Sequence, residues 1–344
     1  MMSTELTARE RQVFLAIVQG FIRNAEPVGS RYISKNCDLN LSPATVRNVM
    51  ADLEDKGLVR QPHTSAGRVP TTQGYRAYVD NIEKGIDLTE EEKKSIVAKL
   101  ELFTQDVDII ISKTAHIISD ISSQLGIVLS PRFTKGIFEK IELIQLSDYK
   151  LLVVLSIKSG LVKSVIIEVD NHFSADFINE TALIINERLH GLSVEQLSYF
   201  LRERFADVDA KSRSLIDKIK DKTDKMIHYE VEKDFYFFGA KNVIANPEFG
   251  SPEQVGRILE LLDRKDVLLR VLTEHSSEGV SIVIGEESAE ELMKNCSIIT
   301  TTYSIDGAVG TLGVIGPTRM QYAKIISLVK FMSDTLNYLV SHSN

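Results

Sequence analysis

The chain has 344 residues, more than one hydrophobic core ordinarily organises, so two or three domains are expected. Apolar residues make up 43% and charged residues 26%, a balance that excludes both a disordered chain and one embedded in a membrane. The net charge of −8 is unevenly spread: residues 1–78 hold ten Lys and Arg against seven acids, giving +3 there and −11 in the remainder. A mildly basic head on an acidic body fits a head that meets nucleic acid and a body that does not.

Cys37 and Cys296 stand far apart without a C-x-x-C partner, so neither a disulfide framework nor a structural zinc site is indicated. The N-terminal stretch "MMSTELTARERQ" lacks the apolar run of a signal peptide, and no segment approaches the length of a membrane span. A cytoplasmic, nucleoid-associated protein is expected, without a membrane partner.

In chain order, Thr7 and Glu10 have capping-box spacing ahead of an apolar stripe at Phe14, Ile17, Val18, Phe21 and Ile22, which predicts a first helix. Pro27 and Gly29 break it, and Ser30 is the expected N-cap of a short second helix that also carries Arg31. "LSPATVRNVMADLEDKG" predicts a third helix with Ser42 as cap, Pro43 at the first helical position and Gly57 just past the end. Three helices in under sixty residues form a helix-turn-helix.

On the third helix Val46, Val49, Met50 and Leu53 share one face, leaving Ala44, Arg47, Asn48 and Ala51 outward, with Ser42 and Thr45 in the first turn. A small, polar opening face suits a major groove, where Arg pairs with guanine and Asn with adenine. Asp52, Glu54 and Asp55 lie further along and would be repelled by phosphates, so only the first two turns are expected to approach DNA. "LVRQP" and "GRVPT" then predict two short strands around His63, Thr64, Ser65, Ala66 and Gly67, with Gly67 supplying the turn conformation. Such a hairpin is a wing, with Arg60 and Arg68 expected on phosphate or in the minor groove and Thr64 and Ser65 donating to phosphate oxygens.

"EPVGSRYI", "SPATVRNVMADLEDKGLVRQPHTSAGRVPTTQGYRAYVD" and "GTLGVIGPTRMQYAKII" resemble the HrcA family of bacterial heat-inducible transcription repressors, and the resemblance runs over essentially the whole chain. It implies a homodimeric repressor of the groE and dnaK operons that binds double-stranded DNA at an inverted-repeat operator (CIRCE), with the GroEL chaperonin as modulating partner. It also implies a GAF-like domain carrying an inserted dimerising domain.

Thr89 caps a long helical stretch whose seam, Ile96, Leu100, Phe103, Val107, Ile110, Ile117, Ile121 and Leu125, is interrupted by Thr114. "FEKIELIQLS", "YKLLVVLSIKSG" and "LVKSVIIEVD" predict an antiparallel meander; helical stripes follow, then a turn-rich "FYFFGAKNVIANPEFGS". Strand signals resume at "GVSIVIGEE", "CSIITTTYSI" and "AVGTLGVIG", before a closing helix. This pattern gives an α+β multidomain protein in which a sheet is split by a helical block. With what the resemblance implies, the expected layout is a winged helix-turn-helix over 1–80, a linker over 81–90, a GAF-like α+β domain over 91–170 and 251–344, and an inserted, helix-rich dimerising domain over 171–250. Leu215, Ile216, Ile219, Met226 and Ile227 are the expected dimer contacts.

No catalytic signature is present. "GAVGTLGVIG" lacks both the Rossmann context and the G-K-[ST] of a phosphate loop, and the seven histidines form no H-x-H or H-E-x-x-H pair. Glu286, Glu287, Glu290 and Glu291 read as a solvated turn. No enzyme, metal or cofactor is expected. Two other readings stay open: a winged-helix regulator that senses a small molecule in a GAF-like pocket, and a protein-interaction module without a DNA role.

Overall fold

The computed structural model describes residues 6–37, 39–64, 66–82, 88–102, 107–131, 133, 136–197, 204–229, 235–249, 251–274, 279–305 and 308–341. α1 (Ala8–Asn24) opens with the expected capping box: Thr7 N–H donates to the Glu10 carboxylate at 2.8 Å, and Glu10 N–H donates back to Thr7 Oγ1 at 3.3 Å. α2 (Ser30–Asn36) begins one residue earlier than expected. Its cap is Gly29, without a side-chain bond, and Ser30 is the first helical residue. α3 (Pro43–Asp55) starts as anticipated, with Thr45 N–H donating to Ser42 Oγ at 3.1 Å, and the chain leaves it at Gly57 with φ 71°.

β1 (Val59–Arg60) and β2 (Val69–Pro70) pair antiparallel as the hairpin expected. Arg68 extends it to a third segment by exchanging two backbone bonds of 2.9 Å with Val28. That pairing revises the reason for Gly67. A Cβ there would stand 2.3 Å from the carbonyl carbon and oxygen of Val28, so the position needs glycine for close approach rather than for a turn dihedral. α4 (Thr72–Asp80), an element not expected from the sequence, is capped by Thr71 and buries Tyr75, Tyr78 and Val79.

The single long helix expected after Thr89 is two: α5 (Glu90–Glu101) and α6 (Val107–Ser122). Ile96, Leu100, Ile110 and Ile117 are buried as the seam requires, and Thr114 fits because its hydroxyl donates to the Ile110 carbonyl at 2.8 Å. Phe103 lies outside the described residues. Leu125 does not continue the seam but opens β3 (Leu125–Leu129), buried at every position.

β4 (Phe138–Ser147), β5 (Lys150–Ile157) and β6 (Val162–Glu168) form the predicted meander, followed by α7 (Ala175–Leu189) and α8 (Ala210–Tyr229). The chain continues through β7 (Phe235–Phe238), α9 (Ala240–Ile244), α10 (Pro252–Asp263) and α11 (Lys265–Glu274). β8 (Ser281–Ile284), β9 (Cys296–Ile305), β10 (Ala308–Pro317) and α12 (Tyr322–Ser341) complete it.

Two separate antiparallel sheets result in the body. One has the order β7-β3-β10-β9-β8, and the other is β4-β5-β6. The five-stranded sheet is covered on both faces. Val128, Ile299, Leu312 and Val314 share a core with α6 and α12, whereas Leu125, Ile127, Leu129 and Ile298 share one with α10 and α11. The meander has its own core with α7 and α8, and Asn186 of α7 clamps β4 by accepting from Ile141 N–H at 2.7 Å and donating to its carbonyl at 3.0 Å. The excursion from the larger sheet therefore runs between β3 and β7, from about residue 130 to 234. The division expected, with 91–170 in the first domain and an insertion over 171–250, cuts the three-stranded unit apart and leaves β7 in the wrong one.

Candidate DNA-binding surface

α3 presents the face the sequence suggested. Val46, Val49, Met50 and Leu53 pack inward, and Ala44, Arg47, Asn48 and Ala51 are exposed. Ser42 is exposed and Thr45 half-buried, but their hydroxyls lie 2.9 Å apart and Ser42 Oγ takes the Thr45 amide, so both serve the helix start. Ser30 is half-buried and Arg31 exposed on α2, the helix before. At the hairpin Arg60, His63 and Thr64 are exposed; Ser65 lies outside the described residues. Among the described residues Arg31, Arg47 and Arg60 are exposed and carry no ion pair, Arg47 on the outward face of α3 and the other two on α2 and β1, which pack against α3.

Arg68 departs from expectation. Its side chain is only 16% exposed, and its guanidinium Nη2 sits 2.7 Å from Glu54 Oε2, near the end of α3. The other Glu54 oxygen accepts the Gln61 backbone N–H at 3.0 Å, and the Gln61 side chain donates to the carbonyls of Thr64 and Ala66, each at 3.0 Å. Arg68 is thus tied from the wing to the end of α3 rather than displayed for phosphate. The same contact neutralises Glu54, one of the three acids expected to repel DNA; Asp52 and Asp55 remain exposed. The two partners of Glu54 lie 7 and 14 residues away across a turn, where no periodicity links them, so from the sequence it shows only as a repelling acid.

The head is fixed at its base and to the body. Lys56, which closes α3, bonds Glu10 of α1 at 2.7 Å, and with Thr7 it holds the Glu10 carboxyl down at about 2. Arg76 of α4 forks onto Glu287 at 2.7 and 2.5 Å and also donates to the Ile282 carbonyl at 2.6 Å. Glu287, expected to be solvated, is therefore a partner of the head. Arg319 bridges the Ile22 carbonyl and Glu248, each at 2.7 Å. Tyr75 and Tyr322 pack across the joint with ring centres 5.8 Å apart, and burial raises both phenols above their ordinary range. One continuous core joins head and body, yet the exposed face of α3 is left uncovered.

Leu215, Ile216 and Ile219, expected as dimer contacts, are core residues of their own unit. They are buried at 0%, 3% and 5% exposure against their own sheet; the side chains of Met226 and Ile227 lie outside the described residues. The open apolar surface of this unit is instead the far face of the sheet, where Ile144, Leu152 and Ile166 stand in cross-strand register and Ile144 and Ile166 are 46% and 54% exposed. Among the described residues no three of His, Cys, Asp and Glu converge on a metal-sized site, and no helix is long and apolar enough to cross a membrane.

Three helices, a paired hairpin and an uncovered third helix flanked by free arginines define a winged helix-turn-helix of the DNA-binding kind. Comparison with known proteins agrees. Residues 5–83 match the family described as winged helix-turn-helix transcription repressor, HrcA DNA-binding, and residues 108–326 match the HrcA protein C terminal domain. The chain belongs to the HrcA family. It is 38% identical to the heat-inducible transcription repressor HrcA of Chlorobium phaeobacteroides (strain BS1), over 99% of this chain and 100% of that protein. It is 37% identical to that of Prosthecochloris aestuarii, over 100% of both, and 36% identical to that of Pelotomaculum thermopropionicum, over 98% and 97%. A crystal structure described as a hypothetical protein shares the fold with a TM-score of 0.63 at 19% identity, covering 99% of this chain and 100% of that one.

Proposed function

We propose that the chain is a homodimeric repressor of the groE and dnaK heat-shock operons that binds an inverted-repeat operator (CIRCE) in double-stranded DNA, with its activity set by temperature and by the GroEL chaperonin. The observation that carries the reading is the uncovered face of α3, with Arg47 and Asn48 exposed and Arg31 and Arg60 unpaired beside it, in a chain of the HrcA family. Arg47 and Asn48 read base edges. Arg31, Arg60, His63 and Thr64 hold phosphates, and Ser30, Ser42, Ala44 and Thr45 line the approach.

Two such heads need a dimer, and the apolar row Ile144, Leu152 and Ile166 is the surface that supports one: an uncovered sheet face of this composition buries itself against a second copy. Each head shares a core with the five-stranded sheet of its body, and the dimer contact on the three-stranded unit brings two such heads to one duplex. Heat acts by shifting the population of DNA-competent dimers. Operator affinity measured against temperature, with and without chaperonin, tests the switch: loss of affinity on warming, offset by chaperonin, is expected, and affinity unchanged in every condition removes it. Ile166→Lys tests the dimer, since it should yield monomers in sedimentation.

A second reading, a regulator that senses a small molecule, has one observation behind it. A polar cleft of about 340 Å³ lies between head and body, lined by Ile22, Ser122, Gln124, Asn246, Arg319 and Lys324. A thermal-shift screen separates the two readings, since only a sensor is stabilised by a small ligand.

A further inference from the structure

We infer that Glu54 and Arg68 act as a clasp that sets the wing against the recognition helix, so that Arg68 is a positioning residue for DNA binding and not itself a phosphate contact. The inference rests on the DNA-binding reading of the head. Arg68 is held from three directions. Its guanidinium meets Glu54 at 2.7 Å, its backbone exchanges two bonds with Val28, and its neighbour Gly67 lies against the Val28 carbonyl too closely to admit a Cβ. Its Nε is buried without a partner and so adds no hold of its own; the Glu54 contact and the packing around the 16%-exposed side chain keep it in place.

Glu54 grips both arms of the wing, the first through the Gln61 amide at 3.0 Å and the second through Arg68. Each carboxylate oxygen takes one donor, Oε1 the Gln61 amide and Oε2 Arg68 Nη2, so one side chain ties the two arms together. Arg60, exposed and unpaired on β1, is left as the wing arginine that reaches DNA.

Two arrangements predict opposite results. If Arg68 bonds phosphate, Glu54→Ala frees it and tightens binding, and Arg68→Ala lowers the slope of log K against log salt by about 0.9, the effect of one lost contact on duplex DNA. With a clasp, Glu54→Ala and Arg68→Ala each weaken binding on the order of tenfold, the scale of one charge-assisted bond, and leave the salt slope alone. The double variant is then no weaker than either single one, because both remove the same link.

The experiment titrates the full chain and these variants with an inverted-repeat duplex and its scrambled counterpart at several salt concentrations. Amide exchange at Gln61 is followed in the same samples without DNA, and Arg68→Lys serves as a milder variant. Faster Gln61 exchange in Glu54→Ala, unchanged slopes and a non-additive double variant support the clasp. A reduced slope in Arg68→Ala, or tighter binding by Glu54→Ala, overturns it. Should the unsubstituted chain bind neither duplex, the DNA-binding reading fails on its own account; unaltered Gln61 exchange in Glu54→Ala would separately remove the clasp.

Discussion

Arg76 of the head and Glu287 of the body form a bidentate pair, at 2.7 and 2.5 Å, that joins two units 211 residues apart in sequence. Both side chains are about one-third exposed or less, and the guanidinium also satisfies the Ile282 carbonyl, so this is more than a surface ion pair. Arg76→Ala leaves the half-buried Glu287 carboxylate with the Ile284 N–H at 2.9 Å but without its cation. We expect a loss of about 1–2 kcal/mol at the joint, the value for a charged hydrogen bond discounted for partial exposure. Calorimetry should show head and body melting together in both chains, because their shared core remains, with the transition at a lower temperature in the variant.

Arg47 and Arg60 have different roles on DNA and should fail differently. Arg47→Ala is expected to cost about 1–3 kcal/mol on the operator and to relax preference at one base pair. Arg60→Ala should weaken operator and random DNA alike and lower the salt slope by about 0.9. Equal weakening of operator and random DNA by Arg47→Ala would remove it from base reading.

Gly67→Ala places a methyl 2.3 Å from the Val28 carbonyl, and backbone on both sides must shift to admit it. The expected cost is about 1–3 kcal/mol, the range for inserting a group where there is no room. Gly29→Ala, with nothing within 4 Å of its added carbon, is the control and should cost little. Urea unfolding of the two variants checks the contrast.

Glu10 gives the head a pH dependence of definite sign. Hydrogen bonds from Lys56 and Thr7 lower its carboxyl from 4.5 to about 2 in the folded chain. A folded value below the unfolded one means that the stabilisation is complete above about 4.5 and is lost as pH falls toward 2. Glu10→Gln should flatten that part of the stability curve in denaturant titrations between those limits, with no change in its slope near neutrality.

How far the fold was legible depended on whether a segment's partners were local. The caps at Thr7, Ser42 and Thr89, the buried stripe of α3 and the hairpin all follow from residues within a few positions of one another, and each was found as read. β3 was not. Residues 125–129 are buried at every position because helices cover both faces of their sheet, so the alternation that marks a strand is missing and Leu125 reads as the end of a helix. β7 was hidden for a related reason, being four residues of "FYFF" at a sheet edge.

The extent of the inserted unit followed from strand pairing, which periodicity does not encode. On the candidate surface, residue types were right and one role was wrong. The exposure of Arg47 and Arg60 follows from α3's stripe and from alternation in a two-residue strand. Arg68 has the same composition signal as Arg60, and only the position of Glu54, the penultimate residue of α3, distinguishes a clasp from a contact.

The central claim is that this head binds DNA specifically and as one of a pair. The most direct measurement is a titration of the full chain with a duplex carrying an inverted repeat from upstream of a chaperonin operon, beside a single half-site and a scrambled duplex, at two salt concentrations. The account predicts tight, salt-sensitive binding to the inverted repeat, markedly weaker binding to the half-site, and only weak binding to the scrambled duplex. Equal affinity for all three duplexes, with chaperonin present as well as absent, would contradict it.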